Sequence, residues 1–131
     1  MQRVVRVLIA DDHELVRHGL RELLETRDDF VVCAEAQDGP QAVQLALQHK
    51  PDVAVIDISL PVFNGIEAIR QIRQSLPHTE VLVLTMHDSE DLIGEALEAG
   101  ARAYLRKSEA DGQIINAVAA LARHRPLYPT E

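Results

Sequence analysis

The sequence predicts an α/β fold: five βα units forming one doubly wound, parallel, five-stranded sheet. Two observations carry this reading. Short apolar runs alternate with segments of helical period, and several runs are apolar at nearly every position, as strands buried on both faces are. Right-handed crossovers between successive strands then place helices on both faces of the sheet.

The elements follow in order. Val4 to Ala10 reads as the first strand, and Leu15, Val16, Leu20, Leu23 and Leu24 mark the first helix. Phe30 to Ala34 is the second strand, followed by a helical stripe of Ala42, Val43, Ala46 and Leu47. Val53 to Ile56 and Val81 to Leu84 are the third and fourth strands, and Ala103-Tyr104-Leu105 is a shorter fifth. The remaining stripes are Ile66, Ile69 and Ile72, then Leu92, Ile93, Ala96 and Leu97, then Ile114, Ile115, Val118 and Leu121. Each gives one apolar and one polar helix face.

The punctuation agrees. Gly39-Pro40 suits an N-cap followed by proline at the first helical position. Asn64 with Glu67, and Ser108 with Asp111, have capping-box spacing. Gly100 suits the end of the fourth helix, and Pro51 and Pro77 stand just before strands. Residues 124–131 contain two prolines and no helical period, so they read as the start of a linker after a domain of residues 1–123.

Composition narrows the function. The 131 residues are 47% hydrophobic and 26% charged, which suits one domain with a real core. The net charge is −8, with no basic cluster, which disfavours direct binding to nucleic acid or anionic membranes. A single cysteine, Cys33, excludes an internal disulfide and a Cys-rich zinc site. No apolar run approaches the roughly 20 residues of a membrane span, and the first residues lack the apolar stretch of a signal peptide. A cytoplasmic location is expected. The six histidines show no i, i+4 pair, which argues against zinc, and His13 and His87 read as rim residues of any site at the strand ends.

In doubly wound sheets ligands bind beyond the carboxyl ends of the strands. There the sequence places Asp11 and Asp12 after the first strand, Asp57 after the third, Thr85 after the fourth, and Arg106, Lys107 and Ser108 after the fifth. Taken singly, Asp12 could cap the first helix, Asp11 with Glu14 could form an acidic capping box, Thr85 could merely end a strand, and Lys107 could be a solvated lysine. Asp57 directly follows a buried Val-Ala-Val-Ile run, where an isolated charge is costly. Together these residues describe carboxylates that repel one another unless a hard cation joins them, Mg²⁺ being the one suited to few carboxylates plus phosphate oxygens. With a lysine and a hydroxyl to meet phosphoryl oxygens, the set reads as a site for phosphoryl chemistry with a carboxylate nucleophile.

The set Asp11-Asp12, Asp57, Thr85 and Lys107 on a (βα)5 pattern resembles a response-regulator receiver domain over roughly residues 4–123. Ala10-Asp11-Asp12-His13-Glu14-Leu15-Val16-Arg17, Asp57-Ile58-Ser59-Leu60-Pro61 with Asn64-Gly65-Ile66-Glu67-Ala68, and Gly100 through Lys107 resemble the LuxR-type (NarL/FixJ) subfamily of two-component transcriptional regulators. The resemblance implies the flavodoxin-like strand order 2-1-3-4-5. It implies Asp57 as phosphoacceptor from a sensor histidine kinase. It also implies Mg²⁺ held by Asp11, Asp12, Asp57 and the backbone carbonyl of Ser59. Lys107 would pair with carboxylate and phosphoryl oxygens, Thr85 would move to bond the phosphoryl group, and Tyr104 would be the rotamer switch. Output would pass through the face of the fourth helix, fifth strand and fifth helix, which carries Glu90, Asp91, Glu95, Glu98, Arg102 and Arg106. The expected partners are the kinase, a second copy on activation, and DNA through a helix-turn-helix effector absent from this chain; no membrane role is implied.

Departures from the family pattern are Val62 and Phe63 after Leu60-Pro61, Met86 after Thr85, and Ser108 where proline often follows the lysine. Three alternatives remain at this point. One is a stand-alone receiver. Another is a haloacid-dehalogenase-type phosphatase, disfavoured because Ser59 stands where a second aspartate is wanted. The last is a flavodoxin-like cofactor carrier, disfavoured because Asp11-Asp12 would repel phosphate.

Overall fold

The computed structural model describes residues 4–86 and 90–123. Ten elements alternate: β1 (Val5–Ala10), α1 (Glu14–Leu24), β2 (Phe30–Ala36), α2 (Gly39–His49), β3 (Val53–Asp57), α3 (Gly65–Ser75), β4 (Glu80–Thr85), α4 (Glu90–Ala99), β5 (Ala103–Arg106) and α5 (Lys107–Arg123). The five strands are parallel in the order β2-β1-β3-β4-β5, as the sequence predicts. Residues 124–131, His87 and His124 lie outside the described residues, and with them the linker reading.

The sheet separates two cores, because successive strand residues point to opposite faces. On one face Leu8, Ala54, Ile56, Val81 and Val83 pack with Ala42, Ala46, Ile66, Ile69 and Ile72 of α2 and α3 and with Ala96 of α4. On the other, Val7, Ile9, Val53, Val55, Leu82 and Leu84 pack with Leu20 and Leu24 of α1 and Ile114, Val118 and Leu121 of α5. Each fully buried Leu, Ile or Val contributes about 1.5–3 kcal/mol of transfer free energy. This burial fixes the register: Ala10 lies beside Ala36 and Ile56, Asp57 beside Leu84, and Thr85 beside Arg106. The carboxyl ends of all five strands therefore share one edge.

Four local expectations are corrected. Leu15 does not join the α1 core stripe and is largely exposed; Arg17, Leu20 and Leu24 take the buried face. The cap of α2 is Asp38, whose Oδ1 accepts the Gln41 N–H at 2.7 Å, so Gly39 is already helical. α5 begins at Lys107, directly after β5, which places Ser108 inside the helix rather than at its cap. Neither Asp11 nor Asp12 caps α1: its N-cap is His13, with no side-chain cap bond. The Asn64 cap is as expected, accepting the Glu67 N–H at 3.1 Å, and Gly100 follows α4 with its N–H on the Leu97 carbonyl.

The β3–α3 loop is held against α2. Gly39 donates to the Pro61 carbonyl at 3.2 Å. A Cβ on Gly39 would run into the Phe63 carbonyl and ring, so only glycine permits this approach. Between these contacts Val62 has φ +76° and is 80% exposed. A β-branched residue there is strained, and its side chain returns little burial. Val62→Gly is therefore expected to stabilise the protein by about 0.5–1 kcal/mol, the left-handed cost less the extra chain entropy of glycine. Urea unfolding checks this; an unchanged or lower midpoint would refute it.

Candidate functional site

The ends of β1, β3 and β5 bring three of the expected groups together. Asp11 follows β1 and is fully buried. Its N–H still bonds the Ala36 carbonyl of β2 at 3.0 Å, while its Oδ1 accepts the His13 N–H at 2.9 Å. This local turn aims the carboxylate back over the sheet edge. Asp57, the last residue of β3, is also fully buried. Its Oδ1 accepts both the Ser59 N–H at 3.0 Å and the Ser59 hydroxyl at 2.9 Å. Gly65 closes the loop over Asp57, and a Cβ there would strike the Asp57 carbonyl.

Lys107 joins the two. Its Nζ lies 2.8 Å from Asp11 Oδ2 and 3.0 Å from Asp57 Oδ2. The Asp57 contact is an aligned hydrogen bond. The Asp11 contact is close but not aligned as one, so Asp11 Oδ2 is a buried oxygen without a hydrogen-bond donor. Burial works to lower the Lys107 pKa, but the two close carboxylates of Asp11 and Asp57 outweigh it and hold the ammonium above its ordinary value.

Asp12 stands at the rim, its side chain 38% exposed. The His13 Nδ1 lies 3.1 Å from Asp11 Oδ1 and 3.3 Å from Asp12 Oδ1. One ligand atom each from Asp11, Asp12, His13 and Asp57 falls within 4.8 Å of the others. Three carboxylates around one ammonium leave the pocket net negative, and carboxylate oxygens are donors for a hard divalent cation. The undonated Asp11 Oδ2 points the same way. The residues present thus fit a Mg²⁺-type ion.

The other expected residues fall nearby or apart. Thr85 is buried at the end of β4, one position beyond the Leu84 that pairs with Asp57. Tyr104 pairs with Val83, two positions back along the same face as Thr85, and is 46% exposed. Met86 is exposed rather than packed into a groove. Sequence reasoning placed His13 at the rim, where it is found, but did not foresee its ring between two carboxylates. It missed the Ser59 hydroxyl on Asp57 and the Arg17 guanidinium on the Asp11 carbonyl; the Arg17 position within the Asp-Asp-His-Glu-Leu-Val-Arg stretch is the only signal.

Comparison with known proteins places this fold and pocket. The model for response regulator receiver domains matches residues 7–119. The transcriptional regulatory protein YxjL of Bacillus subtilis is 40% identical over 126 residues, covering 96% of this chain and 58% of that protein. The transcriptional regulatory protein DegU of Brevibacillus brevis is 39% identical over 119 residues, covering 91% and 50%. Among solved structures, a LuxR-family two-component response regulator from Aurantimonas sp. SI85-9A1 superposes with TM-score 0.87 at 38% identity, covering 93% of this chain and 87% of that one. The signal receiver domain of NarL from Mycobacterium tuberculosis gives 0.88 at 35%, covering 94% and 99%. The chain belongs to the response regulator receiver domain family, and its relatives are LuxR-family, NarL-type regulators. It spans 58% and 50% of the two curated relatives' own lengths. No helix among the described residues is long and apolar enough to cross a membrane.

The raised Lys107 pKa carries a pH prediction. The stability from this ammonium is fully present below the unfolded lysine value of about 10.4 and is lost as pH rises through the higher folded value. Lys107→Met, which leaves two buried carboxylates without their cation, is expected to cost about 3 kcal/mol at neutral pH. In urea unfolding, the gap between wild type and variant should narrow above about pH 10.4. A gap independent of pH would refute the assignment.

Proposed function

We propose that this receiver domain accepts a phosphoryl group on Asp57 from the phosphohistidine of a sensor histidine kinase. The observation that carries the reading is the Lys107 ammonium between the buried carboxylates of Asp11 and Asp57 at 2.8 and 3.0 Å, with Asp12 at the rim. In the transfer, an Asp57 carboxylate oxygen forms a bond to phosphorus as the phosphorus–nitrogen bond of the donor breaks. The imidazole nitrogen leaves with the electron pair and takes up a proton. Asp11, Asp12, Asp57 and the backbone carbonyl of Ser59 are the residues that would hold Mg²⁺, which supplies positive charge against phosphoryl oxygens. Lys107 meets a further oxygen, and the Ser59 N–H and hydroxyl orient the Asp57 carboxylate.

Thr85 is assigned the second contact to the phosphoryl group, and Tyr104, on the same face of the sheet, reports its movement to α4. The output surface comprises α4, β5 and α5, where Glu90, Asp91, Glu95 and Glu98 are exposed. Two of its arginines are engaged within the chain: Arg102 reaches Glu80 at 3.3 Å and Arg106 reaches Glu109 at 2.9 Å. Pairing with a second copy, and control of a DNA-binding helix-turn-helix effector in the longer protein, follow from the likeness to transcriptional regulators of about twice this length. A cytoplasmic location and slow loss of the phosphoryl group to water complete the proposal.

Acetyl phosphate with Mg²⁺ should label wild type, raising the intact mass by one phosphoryl group, and Asp57→Ala should remain unlabelled. Equal labelling of the variant sinks the assignment. Asp12→Asn should weaken Mg²⁺ binding while the metal-free protein melts at the same or a higher temperature, since carboxylate repulsion is relieved. Met86→Ala should speed both labelling and dephosphorylation, up to about tenfold for about 1.4 kcal/mol of lowered barrier. Unchanged rates would end the idea that Met86 covers the pocket.

A further inference from the structure

Arg17 sits in the first turns of α1 yet is only 8% exposed, the one arginine among the described residues buried to that degree. Its side chain does not follow the solvent-facing habit of a helical arginine. It turns towards the sheet, where Nη1 donates to the Asp11 carbonyl at 2.6 Å and Nε donates to Glu35 Oε1 at 3.2 Å. Arg21, one helical turn on, holds the other Glu35 oxygen at 2.9 Å.

The Asp11 carbonyl needs such a partner. Pairing of β1 with both β2 and β3 ends at Ala10, so this carbonyl lies just past the ladder while still buried. A buried carbonyl without a donor is costly. The guanidinium fork suits the task, since one plane can serve a carbonyl and a carboxylate at once, which an ammonium on a shorter reach does not do.

The consequence reaches the pocket. With Asp11 N–H on Ala36, its carbonyl on Arg17 and its Oδ1 on the His13 N–H, both main-chain polar groups of Asp11 and one carboxylate oxygen are fixed. Oδ2, which faces the Lys107 ammonium at 2.8 Å, and the following Asp12 carboxylate are the oxygens turned to the pocket. We infer that Arg17 is a positioning residue for the acidic turn: through the Asp11 carbonyl it sets the direction of the Asp11 and Asp12 carboxylates, and so tunes divalent-cation affinity and phosphoryl acceptance without touching either ligand. The inference rests on the Mg²⁺ and phosphoacceptor reading of the pocket.

The test uses Arg17→Lys, Arg17→Gln and Glu35→Gln. Each is assayed by calorimetric titration with Mg²⁺ and by acetyl phosphate labelling at saturating Mg²⁺, at a temperature where its melting curve shows it fully folded. Arg17→Lys keeps the positive charge, so a change in its affinity cannot come from the field of the guanidinium. Groups that orient metal ligands through hydrogen bonds typically cost about tenfold or more in affinity when altered. A loss of about tenfold is expected for Arg17→Lys, with slower labelling even at saturation. Glu35→Gln removes an ion-pair partner but leaves the Arg17–Asp11 bond. It should lower the melting temperature and keep wild-type Mg²⁺ affinity. Arg17→Gln provides the same reading without a competing ammonium. If both Arg17 variants melt lower but bind Mg²⁺ and accept phosphoryl like wild type, Arg17 only supports the fold and the inference is overturned alone. If wild type itself neither binds Mg²⁺ nor labels, the reading of the pocket falls and the inference falls with it.

Discussion

The contact on which the carboxyl edge depends is the Lys107 ammonium between Asp11 and Asp57. Both carboxylates are fully buried, and an unpaired buried carboxylate would cost more than a domain of this size can spare. The lysine arrives from the far side of the sheet: β5 is separated from β3 by β4, and β3 from β2 by β1. β5 runs directly into α5 at Lys107, two residues beyond Leu105, which lies level with Asp57 across Leu84. The pocket is thus a product of register, and register is a product of the two apolar cores.

Two of the loops at this edge are held by specific contacts. Asp11 is anchored by strand, helix and histidine at once. The loop after β3 is pressed on by Gly65 over Asp57 and by Gly39 under Phe63. Val62 absorbs the resulting turn in a left-handed conformation. Backbone strain is a recurrent feature of functional sites, and here Val62 sits five residues beyond Asp57, with the Ser59 contacts between. The pocket is therefore stiff on the β1 and β3 sides. Met86, just after β4, faces solvent.

The opposite direction, from pocket to surface, follows one sheet face. Thr85 and Tyr104 both point to the side on which α4 lies, as the pairing Val83 with Tyr104 and Thr85 with Arg106 requires. In the proposed switch, phosphorylation of Asp57 would alter what this half-exposed tyrosine packs against, and with it the acidic surface of α4.

The sequence by itself determined the strand and helix order, the two-sided burial of the central strands, and which residue types reach the carboxyl edge. These are local properties: period, turn chemistry and the cost of burying a charge are written in neighbouring residues. It did not determine that Leu15 faces solvent, that His13 rather than an aspartate is the N-cap of α1, that α5 starts on Lys107 itself, or that Ser59 gives both its N–H and hydroxyl to Asp57. Nor did it reveal Arg17 on the Asp11 carbonyl. An arginine in an amphipathic helix has the same sequence signature whether it is solvated or buried. Which it becomes depends on whether a carbonyl beyond the end of a ladder, and a carboxylate eighteen residues away on another strand, happen to need its donors. Only the packing of α1 against β1 and β2 decides that, because it alone fixes which polar groups lose their water.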